Sequence, residues 1–268
     1  MNHREGNGVT ELVKSELEEG IAKITLNRPD AGNAMSWALV DRFSTVVEEL
    51  TAQAGVRAFL IQAEGKNFCV GGDIRVFATE TDPAGFITRL AARLHEGLAL
   101  LAAHPAPVVI AAQGAAAGAG LSLVASGDIV LAAEGSTFAM AYTGIGLTAD
   151  GGATWMLPRL IGLRATQEMA YLGRRLNAQE AVALGLATRS VAPEQLDAEA
   201  ATIARTIANG PTAAFGGVKK LLFAGDLAPF PEHLDAEAHA IGVAMATDDA
   251  GEGIKAFLER RKPVYQGN

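Results

Sequence analysis

Two stretches rich in small residues could do chemistry with their main chain. Residues 107–128, PVVIAAQGAAAGAGLSLVASGD, read as a buried strand over 108–113 that breaks at Gly114 and re-enters helix near Gly118. The first amides of a helix have no partner inside it and carry the positive end of its dipole, so they can hold a negative oxygen. Glycine and alanine at such a junction let a ligand reach the main chain. Residues 66–74, KNFCVGGDI, repeat the arrangement after a strand-like run at 57–63. If the two junctions converge they supply two N–H donors, an oxyanion hole for a carbonyl oxygen turning into an alkoxide or enolate.

Other chemistries find less support. Residues 105–127 hold no charged side chain, long enough for a membrane span. Gln113, Ser122 and the repeated glycine and alanine make the run only weakly apolar, so a helix packed on a sheet through small residues is expected, with no membrane partner. Gly144, Gly146 and Ala149 fit G-x-G-x-x-A, a dinucleotide signature, with Glu168 downstream. Asp150-Gly151-Gly152 then interrupts the helix such a site needs directly after its glycines. Ser122 stands in Gly-Leu-Ser-Leu-Val, without the second glycine of a nucleophile elbow. His233 and His239 are six apart and share no helix face, so no metal site is expected.

The chain has 268 residues, 49% of them hydrophobic and 19% charged, enough to bury a large core as one domain or two. Its formal charge of −8 repels polyanions, which argues against nucleic acid. The single cysteine, Cys69, excludes an internal disulfide and fits a reducing compartment. No apolar core follows the first residues, MNHREGNG, so no secretion signal is expected and the cytoplasm is the default.

The elements that must position the junctions read as follows. Residues 1–10 form a disordered lead. Residues 12–18 and 21–26 make a hairpin, and Ser36 caps a helix. A strand at 57–63, a helix at 83–103 and strands at 128–133 and 138–141 complete an alternation that means a layered α/β fold. Beyond Asp150 strands nearly vanish, and helices are expected at 152–161, 164–172, 178–184, 193–209, 211–223, 232–246 and 248–262. A soft boundary near residue 200 separates a core, 11–200, from a helical C-terminal region, 201–268.

NRPDAGNAM (27–35), FCVGGDI (68–74), AAQGAAAGAG (111–120) and GIGLTADGGATWMLPRLIG (144–162) together resemble the crotonase superfamily, the enoyl-CoA hydratases and isomerases. The likeness runs in order over residues 12–265. It implies a spiral of ββα units, acyl-CoA thioester ligands with coenzyme A as part of the substrate and no separate cofactor, and a homotrimer or dimer of trimers.

Carried over by position, the resemblance puts the two oxyanion donors on the N–H groups of Gly72 and Ala119. Main-chain contacts to coenzyme A fall on Ala31, Gly32, Val70, Asp73 and Ile74. Phe257 and Arg260 match positions that in relatives reach a neighbouring subunit's nucleotide. Asp30 stands where many members have lysine, with Arg28, Lys66 and Arg75 as substitutes. At the two glutamate positions of the hydratases this chain has Ser122 and Tyr142, so ordinary hydration is not expected.

Asp150 lies where isomerases acting on ring-epoxidised phenylacetyl-CoA, or shifting 3-enoyl-CoA double bonds, carry a single aspartate. The resemblance thus implies an isomerase, with Asp150 as acid/base. The plain structural role for Asp150 is to cap the helix that follows. Phe77, Phe86 and Leu90, with Phe138, Tyr142, Leu147 and Trp155, are expected to line the acyl pocket. An aroyl-CoA dehalogenase of the same family stays open as a rival, with His95 one turn from its histidine position at Ala99. So does an acyl-CoA binder without turnover.

Overall fold

A computed structural model describes residues 11–225 and 228–268. The lead expected at residues 1–10 lies outside the described residues. Strands β1 (Val13–Glu18) and β2 (Ile21–Leu26) form the expected hairpin, turning through Glu19 and Gly20, both at positive φ. That backbone matches the right-handed twist of the strands. Helix α1 (Trp37–Thr51) follows, its cap confirmed by the Ser36 hydroxyl, which accepts the Leu39 N–H at 3.4 Å.

From β3 (Ala58–Ala63) onward the chain repeats one path: a strand in a main sheet, a short strand in a second sheet, then helix. Cys69 makes the short pairing after β3, before α2 (Ile74–Phe77) and α3 (Pro83–Ala103). Then come β4 (Val108–Ala112), β5 (Ala115–Ala117) and α4 (Ala119–Ala125). The next turn is β6 (Ile129–Ala133), β7 (Thr137–Ala139) and α5 (Ala153–Leu172). The uncharged run at 105–127 is thereby spent on two strands and a short helix. Among the described residues no helix is long and apolar enough to cross a membrane.

After β8 (Arg175–Asn177), α6 (Ala178–Leu184) and β9 (Arg189–Val191), the helices α7 (Leu196–Ala208), α8 (Thr212–Gly225), α9 (Phe230–Met245) and α10 (Asp248–Leu258) complete the chain. The main sheet has the order β1-β2-β3-β4-β6-β9, parallel except for the hairpin, and the second sheet has the order β5-β7-β8. Only β8 and β9 follow Asp150 among the described residues, in line with the expectation that strands nearly vanish there, and β9 completes the edge of the main sheet. It is three residues long, too short for an alternating pattern to show.

The main core lies on the face of the main sheet towards α1 and α3. The other face is covered by α7 through Leu196, Ala200, Ala204 and Ala208, so the boundary expected near 200 falls inside a helix packed on the sheet. The break expected near residue 162 is present: Gly162 interrupts α5 with φ 77° and ψ 155°. Lys219 ties α8 to the body through Asp128 at 3.0 Å and the Leu101 carbonyl at 2.9 Å.

Candidate active site

The register of the second sheet sets three chain segments side by side. Cys69 bridges Ala116 of β5, and Ala116 pairs with Phe138 of β7, all in parallel. Three residues beyond the first two of these positions stand Gly72 and Ala119, and four beyond the third stands Tyr142. The two small-residue junctions therefore converge, and Gly72, Ala119 and Tyr142 line one cavity.

The two amides are available for local reasons. Gly72 bridges Met35, and that pairing uses the amides of Met35 and Asp73, not that of Gly72. Ala119 is the first residue of α4, where an N–H has no partner inside the helix. Each is preceded by a glycine at positive φ: Gly71 at 96° and Gly118 at 51°. The peptide that carries a donor takes its tilt from the residue before it, and these tilts suit glycine. Helix α4 also sits hard against the first junction, since a Cβ at Gly120 would lie 2.2 Å from the Cys69 carbonyl oxygen.

Asp150 is half-buried in the wall of the same cavity. It does not cap α5. Gly152, in the left-handed region, precedes that helix, and no side chain caps it. The Asp150 carboxylate instead accepts the Tyr142 hydroxyl at Oδ1, 2.6 Å away. The single proton of the fully buried Ser122 hydroxyl is within reach of two acceptors, the Tyr142 oxygen at 2.8 Å and the Asp150 carbonyl oxygen at 2.9 Å. Burial, then the charge and hydrogen bond of Asp150, push ionisation of the Tyr142 phenol well above its ordinary range, against a smaller opposing effect of Ser122. Tyr142 is therefore a donor at neutral pH. Gly151, next in the chain, donates its N–H to His95 Nε2 at 2.9 Å.

The cavity is about 80 Å³ and chiefly apolar. Of the residues expected there, Phe77, Leu90, Tyr142 and Leu147 line it, together with Val70 and Ile74. Phe86 stands behind, edge-on to Phe77 with ring centroids 5.9 Å apart. Phe138 is wholly buried in the core. Trp155 does not come to the cavity: it stacks on Phe223 at 4.5 Å, beneath the Arg159 guanidinium, because α5 carries it past the Gly151-Gly152 turn. Met35, Val40, Ile87, Leu94, Ala141 and Ile145 also line it and were not expected there from sequence. The apolar side chains of α1 and α3 carry no sign of whether they face core or ligand.

At the positions expected to meet coenzyme A, most amides are already used. Those of Ala31, Gly32, Val70 and Asp73 donate to Arg28, Pro29, Gly32 and Met35 carbonyls, leaving carbonyl lone pairs for a ligand. The Asp73 carboxylate is buried and paired with Arg28 at 2.8 Å, which removes Arg28 from the free cations. Arg75 and Lys66 remain exposed. Phe257 is 82% exposed on α10 and Arg260 follows that helix at φ 55°; neither lines the cavity of this chain. The glycines at 144 and 146 lie in and after a short 3-10 turn, with no α-helix starting until Ala153, unlike a dinucleotide site.

Comparison with known proteins yields one family. A family model described as enoyl-CoA hydratase/isomerase matches residues 16–268. A Rhodobacter capsulatus protein named "Probable enoyl-CoA hydratase" is 36% identical over 95% of this chain and 98% of its own length. The Escherichia coli 1,2-epoxyphenylacetyl-CoA isomerase is 33% identical over 96% and 99%. The crystal structure of an enoyl-CoA hydratase from Mycobacterium smegmatis superimposes with a TM-score of 0.89 at 31% identity, covering 95% of this chain and 99% of the other.

Proposed function

This chain belongs to the enoyl-CoA hydratase/isomerase family, and from that premise we propose that it is an isomerase acting on an acyl-CoA thioester. The observation that carries the reading is a solitary acid: among the described residues lining the cavity, Asp150 is the one carboxylate, on a wall shared with Gly72 and Ala119. One carboxylate suffices to move a double bond. Asp150 takes a proton from C2 of a 3-enoyl thioester, the electrons pass to the thioester oxygen, and the two amides hold the resulting dienolate. The same proton is returned to C4, which leaves the 2-enoyl thioester with atoms and charge conserved. Rearrangement of a strained ring beside the thioester would draw on the same parts.

Hydration is the second reading, favoured by the name of the R. capsulatus relative. It needs a group to activate water, and what the wall offers beside Asp150 is a protonated phenol. Incubation with 3-hexenoyl-CoA and, separately, 2-hexenoyl-CoA separates the two. Conjugated thioester is expected from the first, with no 3-hydroxyacyl product from either beyond a trace; fast hydration of the second overturns the isomerase. Exposed apolar side chains on α8–α10, among them Leu222, Phe230, Ile241 and Phe257, support assembly as a trimer or pair of trimers, which light scattering would check.

A further inference from the structure

Asp150 stands between two cavities. The inner one carries Gly72 and Ala119; an outer one of about 420 Å³, bordered by Thr88, Ala91, His95 and Thr148, shares Asp150 and Tyr142 with it. A half-buried carboxylate with open space on both sides has more than one rotamer available, and proton transfer to a substrate carbon tolerates little misplacement. Something has to choose.

The hydrogen bonds supply the choice. Asp150 Oδ1 accepts the Tyr142 hydroxyl, while no described protein donor reaches Oδ2. The Tyr142 oxygen in turn lies 2.8 Å from the hydroxyl of Ser122, on α4 three residues after Ala119, whose one proton is shared between that oxygen and the Asp150 backbone carbonyl. One short helix thus presents a candidate oxyanion donor at its start and, one turn on, anchors the acid and its phenol. Residues i and i+3 share a helix face, so donor and anchor move as one body.

We infer that Tyr142 is a positioning residue: its hydroxyl pins Oδ1 of Asp150 so that Oδ2 alone carries the proton between substrate carbons. The inference rests on the reading of Asp150 as acid/base and goes beyond it by dividing the carboxylate into a held oxygen and a working one.

The test is steady-state turnover of 3-hexenoyl-CoA by the full-length protein and its Tyr142→Phe, Ser122→Ala and Asp150→Asn variants, with thermal unfolding of each. Tyr142→Phe keeps the ring and loses the donor. Its kcat is expected to fall about 10- to 100-fold, with KM within about threefold and the unfolding midpoint within a few degrees, the pattern of a contact that matters in the transition state. Wild-type kcat in Tyr142→Phe beside an inactive Asp150→Asn overturns this inference and leaves the isomerase standing. A loss expressed wholly in KM, or matched by a large drop in the midpoint, also overturns it, since the residue would then be packing only. Wild-type turnover by Asp150→Asn sinks the isomerase reading itself. Should Tyr142→Phe fail to fold, Ser122→Ala decides: a smaller kcat loss at constant KM supports the anchor, and unchanged kcat refutes it.

Discussion

Gly118→Ala isolates the orientation of one amide. Gly118 has φ 51° and ψ −126°, a region that L side chains rarely adopt. Yet a Cβ there would meet nothing closer than Gly71 Cα at 3.7 Å and the Tyr142 ring at 3.9 Å, both ordinary contacts. The substitution therefore perturbs backbone torsion without a steric clash. Holding alanine in such a conformation costs roughly 1–3 kcal/mol. The chain either bears that cost or relieves it by rotating the peptide between 118 and 119, and rotation swings the Ala119 N–H away from the cavity. Loss of one oxyanion donor is worth about 10²- to 10³-fold in kcat. With 3-hexenoyl-CoA as substrate, Gly118→Ala should lose at least tenfold in kcat, with a midpoint shift of no more than several degrees. Gly71→Ala is a poorer probe: its Cβ would also sit 2.9 Å from the Ala117 carbonyl oxygen, so folding and chemistry would fail together. If Gly118→Ala retains wild-type kcat and an unchanged midpoint, the Ala119 amide is not a donor to the reacting oxygen.

Trp155→Phe should leave kcat and KM for 3-hexenoyl-CoA within about twofold, because Trp155 packs against Phe223 away from the cavity; a large change in KM would contradict that placement. Asp73→Ala strips the partner from a partly buried Arg28 and should destabilise the fold by about 3 kcal/mol, measured by urea unfolding. Burial pushes the Cys69 thiol up from 9.0 to about 12, with a backbone hydrogen bond from Gly71 opposing it. The folded-state value lies above the unfolded one, so stability is whole below about pH 9 and falls as pH climbs towards 12. The slope from this group is at most about 1.4 kcal/mol per pH unit. Tyr142 contributes in the same direction, so the comparison to make is wild type against Cys69→Ala, whose urea-derived stability should decline less steeply over that window; equal slopes would show that the thiol titrates freely.

Glycine made the two candidate donor positions legible in the sequence. Residues 71, 114 and 118 needed a backbone that other residues resist, and the chain announced this in its composition; the strands before them announced themselves by continuous apolar runs. Helix caps were readable for the same reason, as at Ser36, because a cap is a local bond between neighbours. The resemblance picked out Asp150 as the candidate acid, whereas local pattern showed only a carboxylate before two glycines, and Asp150 does not take the alternative local role of a cap. Its true partner, Tyr142, is eight residues away across a turn, and the partner of that partner, Ser122, is twenty further back. No periodic pattern encodes a contact of that kind.

The second sheet explains why those distant residues meet. Its strands are three residues long, and Cys69 contributes only a single bridge, so none carries an alternation that could be read as β structure. Their pairing nevertheless fixes the relative depth of three chain segments. A slip by one residue between β5 and β7 would carry Tyr142 along relative to Ala119 by about 3.3 Å, enough to break a 2.6 Å bond to Asp150. What resists the slip is the insertion of Phe138, wholly buried, directly opposite Ala116, also buried: one residue of slip turns each side chain to the other face. The hydrophobic register of a minor sheet thus keeps Asp150 and the two candidate amides on one cavity, which is why a core substitution as remote as Phe138→Ala should loosen the site before it unfolds the chain.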